Sequence, residues 1–417
     1  MPHIRSRRHD RKRRVRAWAA CALAGAGAGA MLALAAGPWA GAAALVAGLA
    51  AGHRFMIAPR GVPVLTYHSV SRDAAWLPWA DEISVHPETL RAHLQALRSM
   101  GCRIVTTGEL VEARRRGERL PGRPVTLHFD DGYLDNWLHA APILREHGAP
   151  ATFFASLDFI APGTVPRTQG AADHGYMNWP ELAALDAQPL FEVEPHGIDH
   201  GRVPVSSRVV ARLDAANWRR LAWLQWAAMP GPKHDWYLAD TPAAVPLGAP
   251  VPESEGALAA AALGETDTEY RARVADHLTR CAEAWQARLS RSPLLFCWPE
   301  NRVSAAGREI AQRLGYRATT GGVRRNTAAE PSGEISRIHA GDRALGFRWA
   351  PAERLRMRAS IGLFEGNHYW YLVAGPMDLA RRLVTAGRAR FPRLGRDVRS
   401  VPSRDSRKSP PPASVTG

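Results

Sequence analysis

From Gly61 onward, short runs rich in Val, Ile, Phe and Thr alternate with segments whose apolar residues recur at helical spacing. A chain that switches between these two periods builds β/α units around a parallel sheet. The apolar runs predict strands over Val62–Tyr67, Arg103–Thr106, Val125–Phe129, Ala151–Ala155, Leu190–Glu194, Leu294–Trp298, Arg317–Thr320 and Glu334–Ile338. Helices are predicted over His86–Met100, with Pro87 in its first turn, and over Tyr133–His147, closed by Gly148. Trp179–Leu185 and Ser304–Leu314 are shorter ones. Thr266–Leu289 carries Val274, Leu278, Cys281, Trp285 and Leu289 on one face. The fold class is α/β, most simply a barrel of parallel strands covered on its outside.

Two stretches break this rhythm. Between Arg202 and Glu265, Pro, Trp and Ala dominate, with Trp218, Trp223, Trp226 and Trp236 alongside Pro230, Pro232, Pro242, Pro246 and Pro250. Residues 203–265 therefore read as an insertion that packs over the barrel edge or offers aromatic platforms to sugar rings. At the other end of the chain, Ala17 to Gly52 holds 36 residues without a charge. That is too long for a signal-peptide core and long enough to span a bilayer. One span near Trp18–Ala36 is the expected arrangement, placing the body outside the cytoplasm. A hairpin turning at Gly37-Pro38 is the alternative and would return the body inside. The basic residues 1–16 keep the N-terminus cytoplasmic under both. The barrel is expected over 60–345, a C-terminal extension packed on it over 346–391, and a disordered basic tail over 392–417.

The formal charge is +15. Residues 1–16 carry eight Lys/Arg and one Asp, and residues 377–417 carry ten Lys/Arg and three Asp. Each end thus holds +7, which leaves about +1 for everything between. The folded body is near neutral, which argues against nucleic acid as a partner. Cys21, Cys102, Cys281 and Cys297 form no CxxC pair and read as small buried hydrophobes.

Candidate chemistry sits where predicted strands end. Asp130 and Asp131 follow Val125–Phe129, and Gly132 after them lets the backbone turn close to a ligand. His196 and His200 follow the strand ending at Glu194. Tyr67 and His68, Trp298 and Pro299, and His339 occupy other strand ends. In parallel α/β barrels those ends share one face, where sites are built. One carboxylate with two imidazoles makes three quarters of a tetrahedral zinc site, the fourth position being open to water. The neighbouring carboxylate is then free to act as a base.

These residues carry a family resemblance. His128-Phe-Asp-Asp-Gly132 is similar to the T-F-D-D-G element of the NodB-homology polysaccharide deacetylases, carbohydrate esterase family 4. His196-Gly-Ile-Asp-His200 is similar to that family's H-[ST]-x-x-H element. Pro63-Val-Leu-Thr-Tyr-His-Ser69, Ala149-Pro-Ala-Thr-Phe-Phe154, Asn178-Trp-Pro-Glu-Leu182 and Phe296-Cys-Trp-Pro299 agree as flanks. The resemblance covers about residues 60–340 and is nearest to deacetylases of exported poly-N-acetylglucosamine-type polymers.

It implies a deformed (β/α)7 barrel behind a transmembrane segment, and a hydrolase that removes N-acetyl groups from an amino-sugar polysaccharide. It implies Asp130 as general base, and Asp131, His196 and His200 as ligands of a divalent metal: zinc, with cobalt or nickel as substitutes. The backbone amide of Tyr133 would meet the oxyanion. The general acid would be His339, with His68 and His174 as rivals. Trp298, Pro299 and His68 would contact substrate. The implied partners are an N-acetylated glycan, the bacterial inner membrane and polysaccharide synthesis or export machinery, with the catalytic domain periplasmic. A lipid-linked sugar or peptidoglycan substrate, or a catalytically silent glycan-binding role in an export complex, are the competing readings. Three departures bear on them. Cys297 stands where many members carry an Arg that orients the base, Glu300 stands where an aromatic is usual, and Gly197 replaces a hydroxyl residue.

Overall fold

The computed structural model describes residues 2–390 apart from positions 169 and 171, so the expected tail at 392–417 lies outside the described residues. Its strands are β1 (Val64–Tyr67), β2 (Cys102–Ile104), β3 (Arg123–Phe129), β4 (Ala151–Ala155), β5 (Phe191–Pro195), β6 (Arg202–Arg212), β7 (Pro250–Gly256), β8 (Leu295–Phe296), β9 (Ala318–Gly322), β10 (Glu334–Ser336) and β11 (Ile338–His339). A parallel sheet runs β11-β1-β3-β4-β5, with β2 paired to β3; a second runs β10-β9-β8.

The two sheets close on each other. β10 and β11 are one strand interrupted at Arg337. On the other side the Cys297 N–H donates to the Pro195 carbonyl at 3.0 Å. The Glu194 carboxylate accepts the Leu294 and Leu295 N–H groups at 2.9 and 3.1 Å. The ring therefore has seven positions: β1, β3, β4, β5, β8, β9 and the broken β10/β11. Short ladders and a register shift in β10 deform it. The expected α/β barrel is the observed fold.

Local sequence explains most elements. The residues of β3 from Pro124 to Phe129 are all buried, as a strand covered on both faces requires. Helix Asp267–Leu289 starts in a capping box between Thr266 and Glu269. It buries Tyr270, Val274, Leu278, Cys281 and Trp285, and the Trp285 indole N–H donates to the Val193 carbonyl of β5 at 2.9 Å. The helix expected over Tyr133–His147 is instead a widened π-type turn, Asn136–Ala140, followed by Ala141–Glu146. Pro142 has no N–H to give to residue 138, so the preceding turn loosens. The insertion contains an antiparallel ribbon of β6 and β7 with its own core of Leu213, Trp218, Leu224 and Val251. Its strands are largely exposed and escape the apolar-run signal. In the C-terminal extension, Met357 and Ile361 of helix Ala350–Phe364 join the barrel's core.

The N-terminal apolar segment folds as a hairpin, the arrangement ranked second from sequence. Helices α1 (Pro2–Ala36) and α2 (Pro38–Met56) pair antiparallel around Gly37, whose φ is 90°. Glycines let the two backbones touch. A Cβ at Gly25 would stand 2.8 Å from the Gly48 Cα, and one at Gly41 would stand 2.6 Å from the Gly29 carbonyl. Within the hairpin, Asp10–Ala36 is long and apolar enough to cross a membrane.

Beyond β3, Asp135 is fully buried and ties two site-bearing loops together. Its carboxylate accepts the Ser69 hydroxyl at 2.6 Å and the Val70 N–H at 3.0 Å. Burial pushes its carboxyl up to about 7 despite these two donors. A carboxyl raised in the folded state stabilises the fold below its unfolded value, about 4, and that contribution fades as pH rises toward 7. Asp135→Asn is therefore expected to gain on the wild type between about pH 4 and 7 and to hold level above. Thermal unfolding of both proteins across that range is the check; a pH-independent difference contradicts it.

Candidate active site

The parallel register brings the carboxyl ends of β1, β3 and β5 to one face. The Asp130 N–H donates to the Tyr67 carbonyl at 3.0 Å, continuing the β1–β3 ladder and locking the first carboxylate inside. Asp130 is 1% exposed. Asp131 then adopts a left-handed conformation, φ 72°, and Gly132 follows at 71°. A non-glycine residue held there is strained, a feature that clusters at functional sites. The reversal separates the two neighbouring carboxylates.

Asp131 faces the two histidines. Its Oδ1 lies 3.1 Å from His196 Nε2 and 3.5 Å from His200 Nε2. The ligating atoms of the three side chains all lie within 4.8 Å of one another. His196 Nδ1 is 2.9 Å from the Cys297 carbonyl and must donate to it, which leaves Nε2 bare on the Asp131 side. Asp131 Oδ1 is buried without a hydrogen-bond donor. Burial raises the Asp131 pKa, but the imidazoles of His196 and His200 outweigh it and hold the carboxyl well below its usual range. An orphaned carboxylate oxygen, two imidazoles and a fixed tautomer fit a divalent cation with an open fourth position. Imidazole with carboxylate suits several divalent cations, zinc among them.

Asp130 is gripped from the far side of the barrel. Arg337 Nη1 donates to Oδ1 at 2.8 Å and to Oδ2 at 2.7 Å, and the guanidinium is 5% exposed. Burial raises the Asp130 pKa, but Arg337 more than offsets this, with His196 and His68 adding to it. The net shift is downward, so the carboxylate stays charged. Arg337 in turn donates from Nε to Asn301 Oδ1 at 3.0 Å. Sequence reading missed Arg337. Its signal was an Arg two residues before His339, at the break of the last strand.

The three departures now have physical explanations. Cys297 is buried beside Asp130, its Sγ 3.6 Å from Oδ2, and the cation absent from that position enters from Arg337. Gly197 sits at φ 86°, and a Cβ there would meet His277 Nε2 at 3.0 Å and Pro299 Cγ at 3.3 Å. His277 accepts the Ile198 N–H at 2.7 Å and so serves the histidine turn from another helix. Glu300 pairs with Arg202 of the insertion.

Other expected site residues move. Trp298 is wholly buried, against Phe296 and the glycines at 307 and 321, and cannot meet a substrate. Pro299 is buried behind Gly197 and shapes the histidine turn instead. Both are corrections: an aromatic at a strand end reads alike whether it points inward or outward. His339 points its Nε2 at the Glu82 carbonyl, 2.9 Å away. His68 stands inside the site, its Nε2 4.0 Å from Asp130 Oδ2. His174 lies against Trp76 and Asp173, beside a partly buried aromatic cluster. There Trp76, Trp79, Trp236 and Tyr237 crowd around Tyr133 and Tyr176. Trp79 stacks on Trp236 with ring centroids 5.6 Å apart. The Tyr133 amide follows Gly132 on the turn held by the Leu134 N–H to Gly175 carbonyl bond, 2.9 Å.

Residues 117–230, which contain all four of Asp130, Asp131, His196 and His200, match the polysaccharide deacetylase family model. Over that stretch the chain is similar to the polysaccharide deacetylases. Among curated proteins it is 24% identical over 260 residues to the poly-beta-1,6-N-acetyl-D-glucosamine N-deacetylase of Escherichia coli K12, over 61% of this chain and 33% of that one. The chain spans less than half the length of the curated relatives it matches. Among solved structures it is similar to the BpsB deacetylase domain from Bordetella bronchiseptica, with a TM-score of 0.47, 20% identity, and coverage of 68% of this chain and 97% of that one. The likeness to IcaB from Ammonifex degensii has a TM-score of 0.44 at 17% identity, over 67% and 91% of the two chains.

The donor set can be checked by metal content alone. His196→Ala and His200→Ala are each expected to weaken zinc retention by more than the roughly 10–100-fold typical of losing a supporting partner. Asp130→Asn should retain zinc as the wild type does. Elemental analysis after chelator challenge reads all three; undiminished zinc in both histidine variants contradicts the assignment.

Proposed function

We propose that this site hydrolyses the N-acetyl group of an amino sugar in an envelope glycan, with a divalent cation held by Asp131, His196 and His200. The observation that carries the reading is the charged, buried Asp130 carboxylate beside that donor set, gripped by Arg337. When bound there, the cation supplies an acidified water and a Lewis acid for the amide carbonyl. Asp130 takes the water's proton as general base. The Tyr133 amide meets the oxyanion of the tetrahedral intermediate.

The acid role goes to His68 in place of His339. His68 shares the pocket with Asp130, whereas the His339 ring is occupied by the Glu82 carbonyl. Burial lowers the His68 pKa against the pull of Asp131 and Asp130, so the ring must gain a proton within the turnover before it passes one to the departing amine. Trp76, Trp79, Trp236 and Tyr237 supply aromatic faces for sugar rings at the mouth. The named activity of the Escherichia coli relative supports an N-acetylglucosamine polymer as substrate class.

Acetate release from N-acetylglucosamine oligomers, with zinc present, tests the proposal. Asp130→Asn should lower kcat by about 10²–10⁴ while zinc stays bound; unchanged acetate release defeats the reading. Arg337→Gln removes the cation that offsets Asp130's burial. The acid limb of its pH–rate profile should therefore move up by about 1–3 pH units, with Arg337→Lys intermediate. A limb that stays in place separates Arg337 from the base.

A further inference from the structure

We infer that the helical hairpin crosses the membrane twice, so that the deacetylase barrel lies on the cytoplasmic face, on the same side as the basic N-terminus. The expected single span would have placed it on the other side.

The lengths allow two crossings of unequal reach. From Ala17 to Ala36 α1 offers 20 uncharged residues, about 30 Å at 1.5 Å per residue, against a hydrocarbon core of about 30 Å. The uncharged part of α2, Pro38–Gly52, offers 15 residues, about 22 Å, and a shorter helix is accommodated by local thinning with His53 and Arg54 at the interface. The surfaces fit lipid. Near the turn, Leu34 is 91% and Trp39 87% exposed, and Leu23, Met31 and Val46 are exposed along the shafts. In water such a pair would lay bare a continuous apolar patch; in a bilayer it needs no other partner. The contact between the helices is made by small residues at Gly25, Gly29, Gly41 and Gly48, as helix pairs in lipid require.

The base of the hairpin is fastened to the domain without a linker. The Arg14 guanidinium donates to the Phe55 carbonyl at 3.2 Å. Trp18 meets Tyr369 edge-on, and His53 Nδ1 lies 3.0 Å from the Tyr369 hydroxyl. Met56 is buried, and the Ala58 N–H donates to the Gly366 carbonyl at 2.9 Å. Helix Tyr371–Arg390 leaves directly from that contact. It exposes Leu372, Leu379 and Leu383 along one arc flanked by Arg382, a face suited to an anionic lipid surface.

Charge decides the side. Eight Lys/Arg precede the apolar part of α1, Arg54 and Arg60 follow the apolar part of α2, and no charge lies between Arg16 and Arg54. The uncharged turn is therefore the part that is translocated, and both basic ends stay in the cytoplasm. One consequence rests on the deacetylase reading: the sugar amide would be cleaved before export, on a membrane-linked precursor at the cytoplasmic leaflet.

The full chain, fused at its C-terminus to a green fluorescent protein or to alkaline phosphatase, tests this in a Gram-negative inner membrane. Fluorescence without phosphatase activity is expected, and the reverse overturns the inference. Deleting Pro38–Met56 should move the reporter across; a reporter that stays put overturns it too. With Cys21 and Cys102 changed to Ser, Trp39→Cys should react in intact cells with an outer-membrane-permeant, inner-membrane-impermeant maleimide. Thr385→Cys should react only after the inner membrane is opened, and the opposite pattern sinks the hairpin independently of the fusions. None of these readouts uses acetate release, so topology can fail while the deacetylase reading stands.

Discussion

A carboxylate sealed inside a barrel stays ionised only if a cation reaches it, and here that cation is Arg337. The pair spans the barrel mouth from the end of β3 to the break between β10 and β11, two strands separated by β1. Such a pair is costly to desolvate, and breaking it by removing one partner leaves a bare buried charge. The same guanidinium holds Asn301, in the left-handed turn after Pro299, and Asn301 accepts the Gly321 N–H at 3.0 Å. One interaction thus sets the charge of the proposed base and ties together the ends of β3, β8, β9 and β10.

Around it, the geometry of the proposed metal site depends on strain. Asp131 and His200 both sit at positive φ, at 72° and 54°. Two separate strand ends must each turn sharply for Oδ1 and the two Nε2 atoms to converge. Backbone anchors hold those turns: Cys297 O on His196, and His277 on the Ile198 N–H. The departures at Cys297 and Gly197 are therefore exchanges of support between elements and leave the four reactive side chains in place.

Much of this was legible along the chain, for reasons that differ by element. The strands of the barrel announced themselves through short runs rich in Val, Leu and Phe, as Val125, Leu127 and Phe129 do in β3. The helix ending at Leu289 did so through its apolar stripe. Asp130, Asp131, His196 and His200 were readable because ligand chemistry constrains residue type and spacing together. The β6–β7 ribbon was not, since its exposed strands carry no core-facing period. Trp298 and Pro299 were placed at the right strand end and on the wrong side of it, because a two-residue strand is too short to reveal which way its last side chain points.

By itself the sequence determined the α/β rhythm, the four polar side chains of the site, and an uncharged N-terminal segment bounded by arginines. These follow from local rules: period, turn chemistry and charge. Tertiary structure alone decided which cation neutralises Asp130, which histidine stands beside it, and that the two halves of the apolar segment pack against each other. Each of those is a contact between positions far apart in the chain: 207 residues separate Arg337 from Asp130, and 62 separate His68 from it. Gly25 meets Gly48 only because the two helices fold onto one another. No local pattern encodes such distances, because they exist only once the barrel and the hairpin have closed.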